Sequence, residues 1–191
     1  MNIGIVVEGE RDSAAYPELI RKIRNDIGNI VSKPCGSDTR LMTHFIGWLK
    51  HFEWRAEHSV DKAIVIRDSD CSNHPVWETR MQQIFEASRF VPSFPVHFHA
   101  TKCELETWLL SDEDAISQVS FARGKRKTVP ALTIPLESYK DAKQLFEKVL
   151  SKAGLLVTPM VYKEIAAAAT IERIAQRCPH FQKFVDIVRA C

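Results

Sequence analysis

The sequence predicts an α/β fold: a mainly parallel sheet flanked by helices, with a helical C-terminal extension. Three observations carry this expectation. Short unbroken apolar runs stand at Ile3-Gly4-Ile5-Val6-Val7 and Ala63-Ile64-Val65-Ile66, the pattern of strands buried on both faces. Segments with apolar residues at helical spacing alternate with these runs, as βαβ units require. Beyond residue 121 the ordered elements read as helices joined by loops. We therefore expect an α/β core over residues 1–120 and a helical extension over 121–191, packed on the core as one compact unit.

In chain order, the first strand ends at Glu8-Gly9-Glu10, where glycine permits a sharp turn. Ala15, Leu19, Ile23 and Ile27, with Ile20 beside them, mark a helix over about 13–27, and Asp12 stands where an N-cap would. Gly28, Pro34, Gly36 and Ser37 predict a loop with a short strand at Ile30-Val31. Leu41, Phe45, Leu49 and Phe52 stripe a second helix over about 40–57. The second buried strand, at 63–66, runs into Arg67-Asp68-Ser69-Asp70. Asn73 and Pro75 open a third helix to about Ser88, and Val96-His97-Phe98-His99 is a short strand. The stretch from Thr101 to Leu110 reads as an extended entry into a helix. Residues 121–129 read as a basic loop, Ser138 as the cap of a helix to Val149, and further helices as covering 162–177 and 179–189. Pro179 suits the first turn of the last helix, whose apolar face would be Phe181, Phe184, Val185 and Val188. That aromatic helix is also a candidate homodimer surface.

Composition bounds the function. The 191 residues suffice for a full core, and 45% hydrophobic with 26% charged residues is ordinary for a globular protein. A net charge of +2 is too small to mark a nucleic-acid binder by bulk electrostatics, so any such binding must come from local patches. Cys35, Cys71, Cys103, Cys178 and Cys191 form an odd, scattered set without C-x-x-C, which predicts reduced thiols and a cytoplasmic location. No run approaches the ~18 apolar residues of a membrane span, and the N-terminus lacks signal-peptide features. No membrane association is expected.

The chemistry lies in the acids at strand ends. Glu8 with Glu10, then Asp68 and Asp70, then Glu104 and Glu106 all fall at or just beyond strand carboxyl ends, the edge where open α/β sheets bind ligands. Residues two apart in extended chain share a side, which would project Asp68 and Asp70 together. Parallel neighbours would bring Glu8 to the same edge. Converging carboxylates repel unless a cation neutralises them, and hard oxygen donors suit Mg²⁺ or Mn²⁺. Taken singly, a D-x-D after a strand is also a common Asx-turn or cap.

The pattern strand-Glu8-Gly9-Glu10-helix followed by strand-Asp68-Ser69-Asp70 resembles the TOPRIM domain of topoisomerases, primases and OLD-type nucleases, over roughly residues 1–110. The resemblance implies a compact α/β domain with a central parallel sheet. It also implies an acid/base or metal-binding role for Glu8 and Mg²⁺ binding by Asp68 and Asp70. Glu104 and Glu106 become candidates for a second metal. Val7-Glu8-Gly9, Asp68-Ser69-Asp70-Cys71, the stretch Glu104 to Asp112, Tyr162-Lys163 and Pro179 to Phe184 further resemble a family of small bacterial proteins with a TOPRIM-like domain of unknown function. Cys71-Ser72-Asn73 departs from the usual TOPRIM pattern, which has a glycine shortly after D-x-D. No catalytic tyrosine domain is recognisable, which argues against a complete topoisomerase.

Other features have plain structural readings beside functional ones. Arg123-Gly124-Lys125-Arg126-Lys127 is the densest basic run, a solvated loop or a phosphate-binding one. Lys102 and Lys163 are candidates to stabilise phosphoryl charge. His97, His99 and Cys103 lack a fourth ligand for zinc, and His44, His51 and His58 read as one partly exposed helix face. Cys71 and Cys103 read as packing residues. The expected function is Mg²⁺- or Mn²⁺-dependent phosphoryl transfer, most concretely a nuclease acting on DNA or RNA. In it Asp68, Asp70 and Glu8 serve the first metal and Glu104 and Glu106 a second. The alternative is a non-catalytic metal- or nucleotide-binding module beside an ABC-type ATPase partner.

Overall fold

A computed structural model of the protein describes residues 1–55, 57 and 59–190. His58 and Cys191, named above, lie outside the described residues. Among those described, four strands form one sheet: β1 (Ile3–Val7), β2 (Ile30–Pro34), β3 (Lys62–Asp68) and β4 (Val96–Thr101). They pair in the order β2-β1-β3-β4, parallel throughout. Every residue of β1 is buried, which is why this strand reads as an unbroken apolar run rather than an alternating one.

The two sheet faces carry different partners. Ile3, Ile5, Val7, Ile64 and Ile66 point towards α1 (Glu10–Ile23), which presents Ala15, Tyr16, Leu19 and Ile20. Val6, Val31, Ala63 and Val65 face α2 (Asp38–Trp54) with its Leu41, Phe45, Leu49 and Phe52, and Met81 of α3 (His74–Ala87). A Cβ on Gly4 would stand 2.6 Å from the Phe52 ring, so glycine in the central strand is what lets α2 seat this closely.

The remaining helices are α4 (Leu105–Leu110), α5 (Glu113–Ala122), α6 (Ala142–Lys152), α7 (Pro159–Ala168), α8 (Ile171–Arg177) and α9 (Phe181–Arg189). Helix α7 packs along α1, α5 against α7, and α4 against α6. One apolar cluster therefore runs from Ile3 to Val188, with Trp108 against Phe181 and Phe184 at its centre. Lys62 is buried at the amino end of β3, and its ammonium donates to the carbonyls of Ile187, Val188 and Ala190, fixing the end of α9 to the sheet.

Several boundaries differ from expectation. Helix α1 starts at Glu10 and stops at Ile23, and its cap is Gly9. Asp12 sits in the first turn and accepts the Gly9 amide at 2.8 Å. The strand expected at Ile30-Val31 extends to Pro34, because the whole segment pairs with β1. Helix α5, absent from the sequence reading, is capped by Asp112. The segment 162–177 is two helices, broken at Ala169, and Pro179 precedes the last helix rather than opening it. The expectation of a dimer surface on α9 is also corrected: Phe181, Phe184, Val185 and Val188 are buried in the protein's own core.

Candidate functional site

Strand β1 is followed in sequence by its neighbour on one side and then, through α2, by its neighbour on the other. The carboxyl ends of β1 and β3 therefore flank the point where strand order reverses, the position where open parallel sheets leave a crevice. Val6 is in register with Val65, which brings Glu8 beside the end of β3. The Asp68 amide donates to Glu8 Oε1 at 3.1 Å. Helix α1 leaves this edge, so Asp12, one turn on from Glu8, lies over it. From the other side α4 brings in Glu106, 5% exposed, whose Oε1 accepts the Tyr162 hydroxyl of α7 at 2.8 Å.

These side chains line one cavity of about 600 Å³. Its wall comprises Glu8, Gly9, Glu10, Arg11 and Asp12, then Gly36, Ser37 and Asp38, and finally Asp68, Glu106, Lys143, Glu147 and Pro159. Behind it lies Arg67, 4% exposed, with Nε 3.7 Å from Glu8 and Nη2 3.2 Å from Asp38. Its guanidinium carbon is 3.4 Å from the centre of the Trp77 ring, a stacked arrangement that holds the cation in place.

Burial first, and then mutual repulsion, disfavours the ionised forms of Glu8, Asp12 and Asp68. Burial pushes the Glu8 carboxyl up from 4.5 to about 7, against the Asp68 amide, with the Asp12 charge adding to the rise. Burial and the Glu106 carboxylate raise Asp12 to about 6. Asp68 is held well above the carboxylate range by burial and then by the charges of Asp12, Glu106 and Glu8. Burial and Glu106 also raise Glu104. Burial with the Glu106 charge raises the Tyr162 hydroxyl, keeping it a hydrogen-bond donor.

A pH dependence follows for the cation-free protein. Between 4.5 and about 7 the native Glu8 keeps a proton that the unfolded chain has released. Its stabilising contribution is therefore complete below 4.5 and lost as pH rises through 7. A tenfold change in proton affinity is worth ~1.4 kcal/mol. Discounted for the part of Glu8 that water reaches, the loss is about 2–3 kcal/mol. Urea melts in chelator at pH 5 and pH 8 should show Glu8→Gln losing less stability than wild type over this interval. Equal losses would contradict the burial argument.

Not every expected residue converges. Glu8, Asp68 and Glu106 meet in the cavity. Strand β3 ends at Asp68, and Asp70 adopts φ 49° in the turn that follows, so it does not share a side with Asp68. Asp70 is exposed and outside the cavity wall. Glu104, which caps α4 by position, accepts the Lys143 amide at 2.7 Å and lies just outside that wall. Lys102 pairs with Glu137 at 3.5 Å and Lys163 with Glu18 at 3.7 Å, neither in the cavity. Arg123, Lys125, Arg126 and Lys127 are exposed and also outside it, with Arg123 held in a two-pronged pair by Glu164. Among the described residues, the cations lining the cavity are Lys143 and Arg11.

The expectation of reduced thiols is corrected at one pair: Cys71 and Cys103 form a disulfide, with Cα atoms 3.7 Å apart. The register explains their meeting. Asp68 pairs with Thr101, so the two chains leave the sheet side by side, and the Ser69 and Asp70 amides both donate to the Cys103 carbonyl at 3.0 Å. The bond ties the turn holding Asp70 to the segment leading to Glu104. His99 is buried against Trp108 and Phe184.

Among the described residues, no three His, Cys, Asp or Glu side chains are gathered tightly enough to hold a metal ion by themselves. The cavity's donor chemistry still suits a hard divalent cation, because Glu8, Asp12 and Asp68 are oxygen donors whose ionisation burial resists until positive charge arrives. Mg²⁺ commonly keeps several waters and takes few protein carboxylates.

A family model described as a domain of unknown function, DUF4276, matches residues 7–189, and the chain belongs to that family. No curated protein matches the sequence. Among solved structures, the C-terminal region of the Burkholderia pseudomallei OLD protein is similar, with a TM-score of 0.50 and 15% identity over 98% of this chain and 96% of that one. The likeness is one of fold. Among the described residues, no helix is long and apolar enough to cross a membrane.

Proposed function

We propose that the protein is a Mg²⁺- or Mn²⁺-dependent phosphoryl-transfer enzyme, a nuclease acting on phosphodiesters. The observation that carries this reading is the convergence of Glu8, Asp12, Asp68 and Glu106 on one cavity at the strand-order reversal. The resemblance of its strand-end acids to the TOPRIM pattern of OLD-type nucleases supports it. Asp68, Asp12 and Glu106 would hold the cation, which would supply charge neutralisation and a water more acidic than bulk water. Glu8, titrating near neutrality, is placed to take a proton from an attacking water. Arg67 orients Glu8, and Tyr162 orients Glu106. Lys143 and Arg11 would offset phosphate charge, a role for which their place in the wall suits them better than Lys102 or Lys163.

Calorimetry with Mn²⁺ at pH 7.5 tests the cation site. Wild type should bind, and Asp12→Asn should weaken binding at least about tenfold. Asp70→Asn, changing an exposed and screened charge, should alter it less than about threefold. Absence of Mn²⁺ binding by wild type at millimolar concentration, with no cleavage of single- or double-stranded DNA or RNA, would refute the nuclease reading.

A further inference from the structure

Beside the acidic cavity runs a second groove of about 600 Å³, lined by Pro34, Cys35, Arg40, His44, Gly47, Trp48 and His51. None of these lining residues is acidic, in contrast to the cavity next door. The Lys33 ammonium stands 5.2 Å from the centre of the Trp48 ring, adding positive charge at its edge. The two depressions adjoin at Gly36. That residue lines the acidic cavity, its amide donates to the Glu8 carbonyl, and Arg40 Nη1 would lie 3.4 Å from a Cβ placed on it. Arg40 is thus where the basic groove meets the acidic site.

Gly47 is the telling residue. It lies in the interior of α2, where glycine is a poor helix former. A Cβ there would meet nothing within 4 Å, so no packing demand explains its absence. A side chain at 47 would instead project into the groove.

We infer that this groove is a binding subsite for single-stranded nucleic acid, holding nucleotides next to the phosphodiester at the acidic site. The inference rests on the nucleic-acid reading of that site. Arg40 and Lys33 would contact phosphates, and the half-buried Trp48 indole, flanked by His51 at 5.6 Å, would stack a base. The vacancy at Gly47 admits the strand. An acidic cavity cannot itself attract a polyanion, and an adjoining basic and aromatic groove provides what it lacks. Two rings with two cations favour a base-bearing single strand over a duplex, whose bases are stacked inside.

Fluorescence anisotropy of labelled oligo(dT) and oligo(rU) of about 12 nucleotides tests this, at about 50 mM salt with chelator and no divalent cation. Wild type should bind at least one of them, and the preferred one identifies DNA or RNA. Gly47→Leu should weaken binding at least about tenfold while the protein melts no lower than wild type, leucine being the better helix former. Arg40→Gln should weaken binding and lower the slope of log affinity on log salt by about one. Undetectable wild-type binding, unchanged affinity in Gly47→Leu, or equal Gly47-dependent binding of a duplex would each overturn the proposal. The outcome separates from that of the nuclease reading. Oligonucleotide binding lost in Gly47→Leu without any Mn²⁺ binding or cleavage would keep the groove and refute the nuclease. Cleavage that depends on Asp68 but is indifferent to Gly47 would do the reverse.

Discussion

Asp68→Asn should abolish divalent-cation binding and lower phosphodiester cleavage by at least about 10³-fold, roughly 4 kcal/mol of barrier. The same change should make the cation-free protein more stable. Both effects have one cause. Asp68 ends β3, half-buried, with Asp12, Glu106 and Glu8 close enough to resist its ionisation. Among the described residues no group donates a hydrogen bond to its carboxylate, whereas Glu8 has the Asp68 amide and Glu106 has Tyr162. Asparagine keeps the shape and removes the charge. At pH 8 it should stabilise the cation-free protein by about 1–2 kcal/mol, the usual trade of a strained functional group for stability. Adding Mn²⁺ should raise the melting temperature of wild type and leave the variant unmoved, since a ligand stabilises only what it binds. A variant that melts below wild type in chelator, or one that still gains stability with Mn²⁺, would show that Asp68 is a structural acid and not a cation ligand.

How far the site can be read from sequence depends on the kind of residue. Glu8 and Asp68 are legible because fully buried parallel strands leave unbroken apolar runs, and the acids stand where those runs stop. Glu106 is legible as one of a pair of acids beyond a strand end, but nothing local separates it from Glu104, and only the packing of α4 and α7 shows which of the two lines the cavity. Asp12 is hidden by its double use. A first-turn aspartate that satisfies the Gly9 amide looks like a helix cap, although the same carboxylate faces the cavity. Asp70 misleads for the opposite reason. Period-two reasoning holds only while the chain is extended, and the chain turns left-handed at 70 and 71.

Tyr162-Lys163 shows how helix phase could have chosen correctly. Val161, Tyr162, Ile165 and Ala166 form the buried face of α7, so the tyrosine reaches Glu106 while the lysine faces outward to Glu18. Lys143 and the Cys71–Cys103 disulfide needed tertiary placement, because no local pattern reports which distant segments run side by side. The seat of the last helix has no local signal for the same reason. Helix α9 is amphipathic in any context, and only its seat against Trp108 decides between core and dimer surface.

The largest expected loss of stability lies away from the cavity, at Arg177. Glu113 is 1% exposed and accepts from Arg177 at 2.6 Å, the Leu132 amide at 2.6 Å and Arg173 at 2.8 Å. Arg177 also donates to the Ser111 and Leu132 carbonyls. This clamp joins α8 to the start of α5 and to the end of α4, the helix that carries Glu106. Burial pushes the Glu113 carboxyl up, but the Leu132 amide and Arg177 together hold it below its ordinary value. Its contribution to stability is therefore present above the unfolded value and lost as pH falls through the folded one. Arg177→Met would strip the best-placed cation from a buried carboxylate and leave two carbonyls without their donor. The expected cost is about 3 kcal/mol at pH 7. The gap from wild type should narrow towards pH 4, where Glu113 can take up a proton instead. Glu113→Gln/Arg177→Met should cost less than the two single changes added together, since each single change leaves its partner unpaired. Urea melts of the four proteins at pH 7 and pH 4 measure both. Strictly additive costs, or a gap that does not change with pH, would mean that the clamp is held by packing and that its charges contribute little.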